Sequence, residues 1–336
     1  MCLPPRTFSP HTHTDCQNYD RIAEFLIIYC FSYPFFHIIT NINQNLTILE
    51  NNIMKKSLAD LLNGVAAPAE FNDNRFSLAS YNMRGPFDKS PNEFYGDRLP
   101  KIVQMIKKYD MDIIGTQELV PETRDALLAQ LPGYTFVGVP REDGKAVGEG
   151  CFIIYKTERF DAVDSDSFWL SETPDVPGSR SWDSWCTRVC TMLRFKDKQT
   201  GKEFVHVNTH LDHHSEEARI KGIQLIVAEI KRRYKEPVPM ILTGDFNTYI
   251  GTPTHDAASA LLTDSFTSSE TPHVGPFRTF TNWIWEEKEN LEEGSRIDFI
   301  FVSDEVKVKE IVTCNDTFEG NTYSSDHHPV VSALVI

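Results

Sequence analysis

Several apolar stretches of this chain stop abruptly in residues that can do chemistry. Tyr81-Asn82 ends one, Gln117-Glu118 the next, and Asn208-Thr-His-Leu-Asp212 and Gly244-Asp-Phe-Asn247 end two more. Arg296-Ile-Asp298 opens another, and Ser325-Asp-His327 lies just before the last. Buried without a partner, each of these groups would cost free energy. A single glutamate after a strand is ordinarily a solvated turn residue. Many such ends in one chain predict convergence on one edge of a two-sheet packing. Carboxylate oxygens gathered there suit a hard divalent cation, and imidazoles beside them suit proton transfer or donation to developing charge.

A second constellation holds Trp169, Ser181-Trp-Asp-Ser-Trp185 and Arg188. Trp182 and Trp185 could stack a base or sugar while Arg188 grips a second phosphate. The competing reading is that both indoles cap the core and Arg188 sits in an internal ion pair. Asp212-His-His214 extends the His210 segment and offers zinc-type ligands. Strand alternation turns His213 away from His210, so a structural role for Asp212 is the better expectation. The glycines from Gly138 to Gly150, around Arg141-Glu-Asp-Gly-Lys145, predict a mobile hairpin and not a phosphate loop, because no helix follows.

These residues need elements to position them. Strand-like alternation covers 75–83, and Leu99, Ile102, Val103 and Ile106 recur at helical spacing within 98–109. Further strands are predicted at 112–118, 134–139, 150–156, 187–196, 203–211, 240–245, 296–303, 306–313 and 330–335. Helices are predicted over 121–131 and 215–234, the first with proline in its opening turn and the second opened by Ser-Glu-Glu. No linker or repeat divides 71–336, which predicts one α/β domain there, with 54–70 as a short lead-in.

Residues 1–53 have a different composition, nearly chargeless and rich in Asn, Ile, Phe and Tyr. The apolar run 25–39 contains Pro34 and His37 and falls short of the roughly 20 residues a spanning helix needs. It also lacks the basic flank and small-residue cleavage site of a signal peptide. Met54-Lys-Lys resembles a translation start, so 1–53 is expected to be a non-native or disordered extension, with a membrane anchor as the alternative. The chain has 336 residues, with 33 Lys plus Arg against 48 Asp plus Glu, a net charge of −15. Such acidity argues against tracking long duplex nucleic acid, whose affinity rests on Lys and Arg displacing counterions. Seven cysteines without a C-x-x-C pair predict reduced structural thiols and a cytoplasmic setting.

Taken in order, Ser80-Tyr-Asn82, Thr116-Gln-Glu118, Asn208-Thr-His-Leu211, Thr243-Gly-Asp-Phe-Asn247, Arg296-Ile-Asp-Phe-Ile-Phe-Val302 and Ser325-Asp-His-His-Pro-Val330 resemble the endonuclease/exonuclease/phosphatase family. The segment Trp169 to Gly178 resembles a stretch found in bacterial members. The resemblance implies a four-layer αββα sandwich and metal-dependent attack of water on a phosphate ester. It implies Glu118, Asn82 and Asp326 on the metal side, with Mg²⁺ as cofactor and Mn²⁺ as a substitute. Asp245 would orient or deprotonate the water, Asn247 would position it, and His210 and His327 would donate to phosphoryl oxygens. Asp298 would pair with His327. Arg84 stands where abasic-site nucleases carry aspartate, and they lack a histidine matching His210, which points away from DNA repair. The expected activity is that of a phosphodiesterase on a small molecule or single-stranded nucleic acid. The alternatives are a phosphomonoesterase on a phosphorylated sugar, inositol or nucleotide, and a catalytically inactive binding module. A monomer without stable membrane insertion is expected.

Overall fold

The computed structural model describes residues 74–283 and 296–336. The expectations for 1–53 and for 54–70 lie outside the described residues. Strands β1 (Phe76–Asn82), β2 (Ile113–Gln117), β3 (Tyr134–Val137), β4 (Ile153–Lys156), β11 (Lys307–Thr313) and β12 (Val330–Val335) make one sheet, ordered β11-β12-β1-β2-β4-β3. Strands β5 (Phe160–Trp169), β6 (Val189–Asp197), β7 (Glu203–His210), β8 (Met240–Asp245), β9 (Thr263–Asp264) and β10 (Asp298–Val302) make the other, ordered β5-β6-β7-β8-β10-β9. β1 and β2 run parallel, as do β7 and β8; the remaining pairings are antiparallel.

Three apolar layers follow from this arrangement. Leu78, Ile113, Ile153, Leu193, Phe195, Phe204, Ile241 and Ile300 fill the space between the sheets. Outside the first sheet, α1 (Leu99–Lys108) and α2 (Pro121–Ala129) cover Tyr81, Ile114 and Phe152 with Ile102, Ile106 and Leu127. Outside the second, α3 (Glu216–Arg233) lays Ile223, Ile226 and Ile230 over Val205, Val207, Leu242 and Phe299. Each such side chain contributes about 1.5–3 kcal/mol by leaving water. The result is the four-layer α/β sandwich the resemblance implied. α3 starts where Ser215 Oγ accepts from the Ala218 amide at 3.1 Å, and it carries Glu216 and Glu217 in its first turn and Lys231, Arg232 and Arg233 in its last. Both charge placements complement the helix dipole. Short helices α4 (Pro253–Ser259) and α5 (Ser265–Ser268) flank β9.

A buried polar clamp joins the sheets near the site. Asn208 Oδ1 accepts from Gln117 Nε2 at 2.8 Å and from Thr243 Oγ1 at 3.0 Å, while its Nδ2 donates to the Thr116 carbonyl at 2.9 Å and the Phe152 carbonyl at 3.1 Å. Gly115 makes this approach possible. A Cβ there would lie 2.7 Å from Asn208 Oδ1 and would collide with Thr243 Oγ1.

Candidate active site

The polar groups converge because the strands that carry them end at one edge. In the parallel pairs, Asn82 lies opposite Gln117 and His210 opposite Asp245. β10 enters antiparallel, which sets its first residue, Asp298, opposite Asp245. His327 comes from the segment before β12 and bridges to Phe280, whose ring centroid lies 4.9 Å from its imidazole. Arg84, Glu118 and Asn247 adopt φ of 52°, 66° and 49°. Left-handed backbone at non-glycine residues costs about 1 kcal/mol or more and recurs at functional sites.

Asn82 is the hub. Its Nδ2 donates to Glu118 Oε1 and to Asp245 Oδ2, both at 3.0 Å, and its Oδ1 accepts from the Arg84 amide at 3.0 Å. The loop beyond it is clamped by the fully buried Arg98, which donates to the carbonyls of Met83, Arg84, Gly85 and Asn92. In the sequence Arg98 opens a helical pattern, and nothing in its spacing marks these contacts. Glu118 Oε2 accepts from the Gly85 amide at 3.2 Å. Burial alone would raise the Glu118 carboxyl, but the His327 imidazolium, Asn82 and Arg84 outweigh it and hold the group below its ordinary range. Arg84 Nη1 stands 3.8 Å from both Glu118 Oε2 and Asp326 Oδ2, and Asp88 holds the guanidinium through Nε at 2.9 Å.

His327 Nδ1 lies 2.8 Å from Asp298 Oδ2. Burial pulls this imidazole down, yet the Asp298 and Asp245 carboxylates and the Asp298 hydrogen bond raise it to about 10. Arg296 does not compete for Asp298: it forks onto Asp264 at 2.5 and 3.0 Å. Asp245 Oδ2 lies 3.4 Å from His210 Nε2 and 3.7 Å from His327 Nε2. Its carboxyl is raised to about 7, chiefly by burial, with His327 opposing and Asp298 adding. A carboxylate poised near neutrality suits a proton acceptor.

His210 differs in charge. Burial, with Arg188 and Arg141 behind it, holds this ring well below the usual imidazole range, so it is neutral. Asn247 Nδ2 donates to the Leu211 carbonyl at 3.0 Å, which fixes the amide, and lies 3.0 Å from His210 Nε2. That nitrogen therefore accepts, and the ring proton belongs on Nδ1.

The metal-side residues do not form one cluster. Ligand atoms of Glu118, Asp245 and His327 all lie within 4.8 Å of one another, whereas Asp326 reaches Glu118 through Arg84. An imidazolium offers a cation no lone pair, so the oxygen donors that remain are Glu118 and Asp245, with Asp326 beyond Arg84. The Glu118 and Asp245 oxygens are donors of the type a hard divalent ion takes, although Arg84 and His327 already place positive charge beside them.

The second constellation divides. Trp169 is buried and donates through Nε1 to the Arg141 carbonyl at 2.5 Å. Trp182 has φ of 55°, and its carbonyl accepts from Ser215 Oγ at 2.8 Å. Trp185 is 63% exposed and so caps no core. Arg188 is buried, with Nη2 3.1 Å from His213 Nδ1 and Nε 3.8 Å from Asp212 Oδ2. Asp212 accepts from the amides of His214, Ser215 and Cys186, which is the loop-orienting role expected of it. The 141–150 segment is held in place, since Asp143 Oδ1 accepts three amides and Arg141 pairs with Glu149 at 2.6 Å. The sequence places Arg141 in a glycine-rich hairpin and marks neither it nor Glu149 as a site residue, because that loop carries no periodicity. Together with Glu118, Cys151, Arg188 and His210 they line a narrow crevice.

The profile of the Endonuclease/Exonuclease/phosphatase family matches residues 79–327, nearly all the described chain. The chain belongs to that family. Members of this endonuclease/exonuclease/phosphatase family are hydrolytic phosphoesterases and generally depend on divalent metals. Among solved structures, the chain is similar to the mannosyl-6-phosphatase Bt3783 of Bacteroides thetaiotaomicron VPI-5482, at 37% identity and a TM-score of 0.71, covering 78% of this chain and 100% of that one. A family protein of Bacteroides vulgatus is 34% identical, with a TM-score of 0.72, covering 78% and 99%. Uncharacterized protein L388 of Acanthamoeba polyphaga mimivirus is 30% identical over 159 residues, which is 45% of this chain and spans 59% of that curated relative's length. Among the described residues no helix is long and apolar enough to cross a membrane, and the four cysteines there are free.

Proposed function

We propose that this chain is a metal-assisted phosphomonoesterase acting on a phosphorylated sugar. The observation that carries the hydrolytic part is the convergence on Asp245 Oδ2, which accepts from Asn82 Nδ2 at 3.0 Å and lies 3.4 Å from His210 Nε2 and 3.7 Å from His327 Nε2. Asp245 accepts a proton from the attacking water as the new bond to phosphorus forms, and Asn247 and His210 fix the approach. The ester bond then breaks and the sugar oxygen leaves, taking its proton from solvent. His327, held by Asp298, donates to the phosphoryl oxygens as their charge builds; one such donor is typically worth about 10²–10³ in rate. Glu118 is the carboxylate offered to a divalent ion, with Asn82 fixing it and Asp326 on the other side of Arg84. When bound, that ion supplies positive charge to the phosphate and lowers the repulsion of its oxygens by the acidic site. Mg²⁺ is the hard cation these oxygens suit, and Mn²⁺ would substitute.

One likeness favours the sugar monoester over a diester. The chain is similar over that protein's full length to a mannosyl-6-phosphatase. A panel with Mg²⁺ separates the readings: hexose 6-phosphates, inositol phosphates, p-nitrophenyl phosphate, bis-p-nitrophenyl phosphate, poly(A) and single-stranded DNA. Phosphate release from the hexose phosphates, with little diester cleavage, is the expected result. Cleavage of diesters alone would replace this reading with a phosphodiesterase.

A further inference from the structure

The crevice next to Glu118 and His210 contains a buried cation with unused donors. Arg188 is 5% exposed, yet its Nε and Nη1 donate to no partner, although Nη2 meets His213. A buried guanidinium with two idle nitrogens costs free energy unless something supplies oxygens to it. Across the crevice, Arg141 and Glu149 pair at 2.6 Å, and the Glu149 carboxylate is 16% exposed, which leaves it able to accept from a ligand. Burial, against the pull of Arg141, raises that carboxyl. Trp185 does not line the crevice but stands 63% exposed, with its ring centroid 6.3 Å from that of His213, the residue Arg188 touches.

The charges decide what fits. Arg141 is matched by Glu149, Arg188 has Asp212 at 3.8 Å, and Glu118 adds a further carboxylate to the wall. A second phosphate would meet two carboxylates there. Neutral hydroxyl groups would find donors on Arg188 and an acceptor on Glu149, with an aromatic face beside them.

We infer that the Arg188–Glu149 crevice, together with the exposed Trp185 beyond His213, is a subsite that reads the hydroxyl groups of the sugar whose phosphate is hydrolysed. This inference rests on the sugar-phosphatase reading. Arg188 and Glu149 bind the hydroxyls, and Trp185 lies against the apolar face of the ring. The subsite selects for polyhydroxylated esters over aryl esters, which bring no hydroxyls to it.

Steady-state kinetics of the intact chain with a hexose 6-phosphate and with p-nitrophenyl phosphate test this in wild type, Arg188→Ala and Trp185→Ala. A hydrogen bond from a charged donor is worth about tenfold or more in binding. Arg188→Ala also removes one of the charges that keep His210 neutral, so both substrates lose rate, but the ratio of kcat/KM values, hexose phosphate over aryl phosphate, is expected to fall at least tenfold. In Trp185→Ala it should fall severalfold with the melting temperature unmoved, and this exposed position decides the matter if Arg188→Ala does not fold. Equal losses on both substrates, or an unchanged ratio in Trp185→Ala, would overturn the subsite and leave the sugar-phosphatase reading standing. Wild-type turnover of p-nitrophenyl phosphate without any hexose phosphate hydrolysis would overturn that parent reading instead.

Discussion

Asp298→Asn removes one charge from the site while keeping the side chain's shape, so it isolates the electrostatic hold on His327. Asp298 is fully buried and lies 2.8 Å from His327 Nδ1. Burial opposes the imidazolium, and Asp298 is the foremost of the groups that overcome it, ahead of Asp245 and Asp326. An opposite charge at this range moves a pKa by about 1–3 pH units, or about 1.4–4 kcal/mol of preference for the charged ring. His327 should therefore fall from about 10 toward neutrality. A ring-nitrogen NMR titration of the metal-free protein in chelator reads this directly. In turnover, the alkaline limb should move to lower pH, with a rate loss of about 10²-fold. Stability follows the same sign. The folded pKa of His327 lies above its unfolded value of about 6.5, so its contribution is complete below pH 6.5 and is lost as pH rises toward 10. The difference in urea midpoint between wild type and variant should accordingly be largest at low pH and shrink on the alkaline side. An unmoved His327 titration, with the same stability loss at every pH, would mean that Asp298 only fixes the backbone turn in which Thr279 Oγ1 accepts its amide.

Other perturbations test separate parts of the site. Glu118→Gln should weaken Mn²⁺ binding by calorimetry about tenfold or more, because a neutral amide replaces a charged oxygen donor; unchanged affinity would remove Glu118 from the metal side. Arg84→Gln removes a cation 3.8 Å from both Glu118 and Asp326, so metal affinity should rise, by roughly severalfold given the partial exposure of Arg84. Weaker metal binding in that variant would show that Arg84 organises the carboxylates instead of competing for them. His206 is buried, lies 2.8 Å from Thr243 Oγ1 and is lowered by burial to about 3. Its contribution is complete above pH 6.5 and is lost as pH falls toward 3, at up to about 1.4 kcal/mol per pH unit. His206→Leu should flatten the acid side of the stability profile; an unchanged slope would place the acid sensitivity elsewhere.

The strand ends were legible because burial forces apolar runs and abrupt polar stops to coincide with strand boundaries. β8 falls on the expected 240–245, and β12 on 330–335. β5 was not legible: Asp161, Asp164 and Asp166 break its alternation, as suits an edge strand whose charges discourage pairing with another chain. α4 and α5 escaped because helices of seven and four residues carry too little periodicity. Within the site, Asn82, Glu118, Asp245, Asp298 and His327 announced themselves as polar residues at strand ends. Arg98, Arg141 and Glu149 did not, because their partners are backbone carbonyls or each other, contacts set by loop paths that no local spacing encodes. The neutral state of His210 also depends on Arg188 and Arg141, brought close only by the fold.

On the proposed function, buried carboxylates around Asn82 hold a divalent ion for hydrolysis of a sugar phosphate. The most direct test is phosphate release from a hexose 6-phosphate by the chelated protein as Mg²⁺ is titrated back. No release before the ion is added, and saturable recovery with it, is the predicted result. Equal release with chelator and with Mg²⁺ would refute metal-assisted hydrolysis at this site.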